Sequence, residues 1–307
     1  MTSVFDAGGL CLFGNKKRHA EKLDLMRDGV EFVSEFVGTM LFAFFGGLAG
    51  SSGFSAAAGN GVALAVLVYA TASVSGGKLN PGVSLSLFLV NAYPMSVHVP
   101  KLLLEWAAQI SGAIVGAMVV NKLAWSPDPK VWTAEAPMAG MNATFVDYRL
   151  QQCFSPPVNM PQASVYGLET LATFLLISVV LATAVDPSGM EAPGASSTRF
   201  GIVAPLAIGL SLWAAAQSVG LWTGGALNTA RVIGPAVAAK CPHKWKFFGS
   251  YVGAHATAAC AAALMHGLKM EVHNYYSGCS PKKPGGGWRL GRRTKYDEML
   301  SNTEAAE

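Results

Sequence analysis

The sequence predicts an all-α membrane protein, with six transmembrane helices plus two re-entrant half-helices and an inverted repeat. Three observations predict this. Only 13% of the 307 residues are charged while 51% are hydrophobic, against about 25% charged in an ordinary soluble domain. The 40 Asp, Glu, Lys and Arg are unevenly placed: 11 lie in residues 1–35, 12 in 269–307, and 17 across the 233 residues between. The pentapeptide pattern Gly-Gly-x-Leu-Asn occurs twice, at 76–80 and at 224–228. The composition argues against a soluble enzyme and excludes a disordered chain, a collagen and a disulfide scaffold.

The elements follow in order. Residues 36–77 and 200–230 contain no Asp, Glu, Lys, Arg or His. At 1.5 Å per helical residue, each stretch outruns a bilayer core of about 30 Å. Long apolar segments predict spans at 31–52, 60–77, 101–124, 165–185, 201–221 and 246–268. Segments 81–91 and 229–239 hold only about ten residues, too few to cross, and predict half-helices. The Pro-rich, polar link 125–163 and the loop 186–199, which holds Asp186, Pro187, Ser188, Gly189 and Pro193, read as solvent-side. The expected organisation is an N-terminal tail (1–30), a membrane domain (31–268) with repeats at about 31–124 and 165–268 around a loop at 125–164, and a C-terminal tail (269–307).

Orientation comes from Lys and Arg. With both termini cytoplasmic, the inside carries five in the N-tail, seven in the C-tail, and Lys78, Lys101 and Arg199. The outside then holds six: Lys122, Lys130, Arg149, Lys240, Lys244 and Lys246. That asymmetry favours cytoplasmic ends, with the plasma membrane the expected location. The first 29 residues lack a signal-peptide pattern, so the first span is expected to direct insertion. The 125–164 loop is then external and offers Asn142-Ala143-Thr144 as a glycosylation acceptor. Cys153 and Cys241 share that side and could pair, although the sequence supplies no distance. Cys11, Cys260 and Cys279 complete an odd set without CxxC spacing, so metal and redox motifs have no support.

A second match precedes each pentapeptide: Glu35-Phe36-Val37-Gly38-Thr39-Met40-Leu41 parallels Glu169-Thr170-Leu171-Ala172-Thr173-Phe174-Leu175. Three spans separate equivalent points, so the second copy is inverted and the two Gly-Gly-x-Leu-Asn segments enter from opposite faces. Non-helical backbone at membrane depth must be buried in protein or line a wet cavity. Asn80 and Asn228 each precede a short apolar run as favoured N-caps, and Pro81 suits the first helical position. Two helix N-termini, each carrying about half a positive charge, would meet near the midplane and repel cations. The expected permeant is small, polar and uncharged.

Asn80-Pro81-Gly82 and Asn228-Thr229-Ala230-Arg231, within this repeat, resemble the two Asn-Pro-Ala signatures of the aquaporin, or major intrinsic protein, family. The likeness covers about residues 31–268 and includes Gln109-Ile110-Ser111-Gly112-Ala113, Gly234-Pro235-Ala236, Glu35 and Glu169. It implies a homotetramer with a pore in each subunit, conducting water and small neutral solutes through a lipid bilayer, with no nucleic-acid partner, cofactor, metal or enzymatic activity. It also implies that Asn80 and Asn228 are the central donors and that Arg231 lines an outer constriction with Asn60, Ala216 and Gly225. Small side chains at 216 and 225 predict a wide mouth that passes glycerol or urea. Thr229 and Gly82 depart from Pro and Ala, predicting a looser midpoint. A non-conducting structural protein and, less so, a coupled transporter are the competing readings.

Other residues have plainer readings. The resemblance makes Glu35 and Glu169 supports for the re-entrant loops rather than proton carriers. Lys78 stands near the cytoplasmic entrance, as a gate or as a snorkelling lysine. His255 and His266 are expected to be packed or interfacial rather than metal ligands.

Overall fold

The computed structural model describes residues 25–49, 55–90, 95–124, 152–154, 156–185, 199–239, 241 and 245–276. Asn142 and most of both tails and of the 125–164 loop lie outside them. Every regular element among the described residues is helical: α1 (Leu25–Leu48), α2 (Ala56–Ser75), α3 (Pro81–Leu89), α4 (Met95–Leu123), α5 (Gln162–Val180) with a π turn at Leu181–Val185, α6 (Arg199–Thr223), α7 (Thr229–Ala238) and α8 (Phe248–Tyr276). Residues 20–263 form one compact unit, and the last turns of α8 fall in a second.

α3 and α7 are the two half-helices. Nine and ten residues long, they measure about 14 and 15 Å, so only together do they match a bilayer core. α1, α2, α4, α5 with its π turn, and α6 are long and apolar enough to cross. α8 has 29 residues but is less apolar. It carries His255, His266, Lys269, Glu271 and His273. α1, α4 and α8 run several residues past the apolar stretches expected for them, because hydropathy marks the part that prefers lipid whereas a helix continues through polar turns. α1 begins in such a turn, with Arg27 Nε 3.8 Å from Glu31 Oε1.

Packing interleaves the repeats. α1 lies on α2 and α4, α2 on α6, and α5 on α6. α7, from the second repeat, packs on α4 of the first, while α3 packs on α4 and α5. The α2–α6 crossing is close enough that a Cβ on Gly61 would stand 2.6 Å from the Gly209 carbonyl oxygen. Phe42, Leu64, Leu67, Leu79, Leu176, Ile177, Leu212 and Leu227 fill the core that grips both re-entrant loops. Apolar side chains such as Phe45, Val66, Leu103, Leu171 and Leu210 point outward, as a lipid solvent requires.

Candidate functional site

Each re-entrant loop is built the same way. Gly76 and Gly77 have φ of 90° and 61°, and Gly224 and Gly225 have 86° and 62°, conformations that Gly adopts without a Cβ penalty. Leu79 and Leu227 follow, both at φ 50°, where a non-Gly residue is strained by about 1–2 kcal/mol. A buried carboxylate offsets that strain in each loop. Glu35 accepts from the Lys78 and Leu79 amides at 3.0 and 2.8 Å, and from Ser75 Oγ at 2.7 Å. Glu169 accepts from the Ala226 and Leu227 amides at 3.0 and 2.9 Å, and from Thr223 Oγ1 at 2.5 Å. Neither glutamate is exposed.

The carboxylates differ in their last partner. Glu35 accepts from Gln109 Nε2 at 2.8 Å, whereas Glu169 lies 3.1 Å from His255 Nε2. The other His255 nitrogen, Nδ1, is 3.0 Å from Thr229 Oγ1. Thr229 in place of Pro therefore supplies a bond as well as a freer backbone. If Nε2–H is donated to Glu169, Nδ1 accepts the Thr229 hydroxyl. The expected loosening of this half-helix start is opposed by that chain of contacts, which the sequence concealed because its members are 26 and 86 residues apart.

The loops then lead into the half-helices through the two asparagines. Asn80 Oδ1 accepts from the Gly82 amide at 2.9 Å, and Asn228 Oδ1 from the Ala230 and Arg231 amides at 2.9 and 3.3 Å. Their Nδ2 groups reach across: Asn80 donates to the Leu227 carbonyl and Asn228 to the Leu79 carbonyl, both at 2.8 Å. Each amide NH2 has two hydrogens, so one stitches the loops together and one remains.

Arg231, in the first turn of α7, is 2% exposed. Its Nη1 donates to the Ala43 and Phe42 carbonyls at 2.9 and 3.4 Å, and Nη2 to Asn60 Oδ1 at 2.9 Å. Asn60 is itself oriented by donating to the Ala56 and Gly46 carbonyls. Gly46 has to lack a side chain, since a Cβ there would stand 2.2 Å from Asn60 Oδ1. Ala216 and Gly225 also adjoin: a Cβ on Gly225 would come 2.9 Å from Ala216 Cα. The four constriction candidates thus form two contacting pairs.

Lys78 is 5% exposed, so the snorkelling alternative does not hold. Its Nζ donates to Glu105 Oε1 at 2.8 Å and to the Ser75 carbonyl at 2.6 Å. Glu105 was missed in the sequence, although an ionisable residue inside the 101–124 span is a functional signal in its own right.

Part of the predicted solvent-side loop is buried. Cys153 is disulfide-bonded to Cys241, with Cα atoms 5.5 Å apart, and Gln152 is 1% exposed. Phe154 lies beside Gly224 and packs with Val165, Ala226, Val232, Phe247 and Tyr251. Its ring centroid is 5.6 Å from Arg231 Cζ. No group of His, Cys, Asp and Glu among the described residues has metal-binding geometry.

Two half-helices meeting at their N-termini, inside a body of membrane-crossing helices, define a channel-type membrane protein. The chain belongs to the Major intrinsic protein family, whose model matches residues 21–266. It is 29% identical to Aquaporin TIP1-2 of Zea mays, over 75% of this chain and 82% of that protein. It is 31% identical to the Glycerol uptake facilitator protein of Escherichia coli strain K12, over 67% and 72% respectively. The aquaglyceroporin from Plasmodium falciparum, solved by X-ray, has the same fold, with a TM-score of 0.60 at 20% identity over 81% of this chain and 99% of that one. The chain is an integral membrane channel for water or small solutes, and not an enzyme.

Proposed function

We propose that the chain is a passive conduit for water and small neutral solutes such as glycerol or urea, excluding protons and ions. The reciprocal asparagine stitch carries this reading. It leaves one Nδ2 hydrogen on each of Asn80 and Asn228 for a passing oxygen, at the meeting point of two half-helix N-termini. A water whose oxygen accepts both hydrogens has its own hydrogens turned toward the two pore exits, which breaks a continuous proton wire. The half-helix dipoles and the fixed charge of Arg231 add a barrier to cations. Three guanidinium hydrogens are spent on Phe42, Ala43 and Asn60, leaving two of five for solute.

Similarity to a glycerol uptake facilitator and to aquaporins supports both solute classes. Ala216 and Gly225, small and mutually packed, support a mouth that admits more than water. The site roles of Pro81, Gly82, Thr229 and Ala230 as half-helix starts, of Glu35 and Glu169 as loop supports, and of Lys78 with Glu105 as an ion pair near one entrance belong to this reading. So do the homotetramer, the cytoplasmic termini and the plasma membrane.

Stopped-flow measurements on proteoliposomes test it. Osmotic shrinkage, and uptake of glycerol and urea, should exceed those of protein-free vesicles, and a proton gradient should neither drive uptake nor dissipate faster. Shrinkage no faster than in empty vesicles leaves the non-conducting alternative; gradient-driven uptake leaves the coupled transporter.

A further inference from the structure

Of the constriction candidates, Ala216 and Gly225 cannot narrow the mouth. Gly225 has no room for a Cβ, because Ala216 Cα and its carbonyl oxygen would lie 2.9 and 3.1 Å away. Asn60 is committed to Arg231, Gly46 and Ala56. The bulk that sets the mouth must come from another element. Two rings flank the Arg231 guanidinium: Phe42, which is buried with its centroid 5.0 Å from Cζ, and Phe154, which keeps exposed surface and is therefore the one free to face a solute. The Phe154 ring lies 5.6 Å from Arg231 Cζ, and a Cβ on Gly224 would touch its Cδ1 at 3.0 Å. Tyr251 supports it edge-on at 6.5 Å between centroids. Phe154 as a residue is half-buried, so it keeps surface that a solute can reach.

Phe154 belongs to neither repeat, and what holds it there is covalent. Cys153, its neighbour, is bonded to Cys241, two residues past the last residue of the cap that closes α7. α7 is the half-helix that carries Arg231, so the bridge references ring and guanidinium to one element. A second tie acts on the other side: Gln152 Nε2 donates to Asn121 Oδ1 at 2.9 Å, and Asn121 Nδ2 to the Ala238 carbonyl at 2.5 Å.

We propose that Phe154, delivered to the mouth by the Cys153–Cys241 bridge, is a specificity-determining residue that sets the largest solute the channel passes. The inference rests on the conducting reading above. With the bridge closed, the ring stands beside Gly224 and within 5.6 Å of Arg231 Cζ. With the bridge opened, the 152–154 segment loses its covalent tie to the end of α7 and keeps non-covalent ones, the Gln152–Asn121 bond and the packing of Phe154 on Tyr251 among them, so the ring can withdraw.

The test uses the full chain in proteoliposomes and reads ratios, which cancel differences in the amount of active protein. Permeability to water, urea, glycerol and erythritol is measured for wild type, Phe154→Ala and the double variant Cys153→Ser/Cys241→Ser, each before and after tris(2-carboxyethyl)phosphine. Phe154→Ala should raise the glycerol-to-water and erythritol-to-water ratios severalfold. Reduction of wild type should move the ratios the same way, and should leave Phe154→Ala and the double variant unmoved. If the double variant fails to fold, reduction of folded wild type carries the same comparison. Ratios for Phe154→Ala equal to wild type overturn the inference while leaving conduction intact, as does reduction that shifts Phe154→Ala as far as wild type. A wild type that conducts nothing removes the underlying reading and this inference with it.

Discussion

The two buried glutamates do equivalent work with unequal partners, and this gives an ordering that can be measured. Glu169 accepts from two backbone amides and Thr223 and contacts His255. Glu169→Gln converts one of its oxygens into a donor facing other donors. Leaving such groups unpaired in the interior costs about 3 kcal/mol, and the strained Leu227 turn loses its restraint. His255→Gln keeps most of the buried volume and an amide Nε2 donor for Glu169, and gives up the contact to a half-buried Thr229 that can rehydrate, for about 1 kcal/mol. Thermal unfolding in detergent should therefore fall much further for Glu169→Gln than for His255→Gln; equal shifts would show that the loop amides find other acceptors. The same logic applies to Glu105→Gln. It takes the counter-charge from a nearly buried lysine at 78, which keeps its bond to the Ser75 carbonyl, and removing one partner of a buried ion pair costs about 3–5 kcal/mol. Glu105→Gln paired with Lys78→Met should recover much of the loss, and no recovery would mean that the two charges are not coupled.

At the scale of elements, the half-helices are defined by their first residues. Thr229→Pro restores a residue suited to that position, but deletes the hydroxyl that meets His255. It exchanges a hydrogen-bonded start for a rigid one. Water permeability should survive while the range of accepted solutes narrows; an unchanged solute profile would show that Thr229 has no bearing on the midpoint. These starts were legible in the sequence because Gly-Gly-x-Leu-Asn is local: the glycines, the strained leucine and the capping asparagine are consecutive, and the apolar run after them is visibly short. The spans were legible for a similar reason, charge-free length, although hydropathy could not say where α1, α4 and α8 stop being helical. What stayed hidden was long-range. The Lys78–Glu105 pair spans 27 residues, and for Cys153 and Cys241, 88 residues apart, the sequence offers the pairing without the distance that decides it. Phe154 sits in a polar link with no periodicity to mark it. A residue delivered by a covalent bridge to a loop from another repeat leaves no trace in local pattern.

For the whole molecule, the bridge links redox chemistry to topology. Cys241 follows α7, and Cys153 lies in the connection between α4 and α5, so both stand at the same face as the C-terminal end of that half-helix. The orientation proposed from Lys and Arg placement would put this face outside the cytoplasm, where disulfides persist; in the cytosol, glutathione and thioredoxin keep thiols reduced. The charge count and the bond thus support one orientation on independent grounds. The remaining described cysteine, Cys260, is free and lies on an exposed position of α8, while Cys11 and Cys279 fall in the tails that the same orientation places inside. Intact cells expressing the chain should therefore show two additional sites for a membrane-impermeant maleimide after treatment with an impermeant reductant, and those sites should vanish in Cys153→Ser/Cys241→Ser. Sites that open only after the membrane is permeabilised would reverse the orientation, and would place the Arg231 end of the pathway in the cytoplasm.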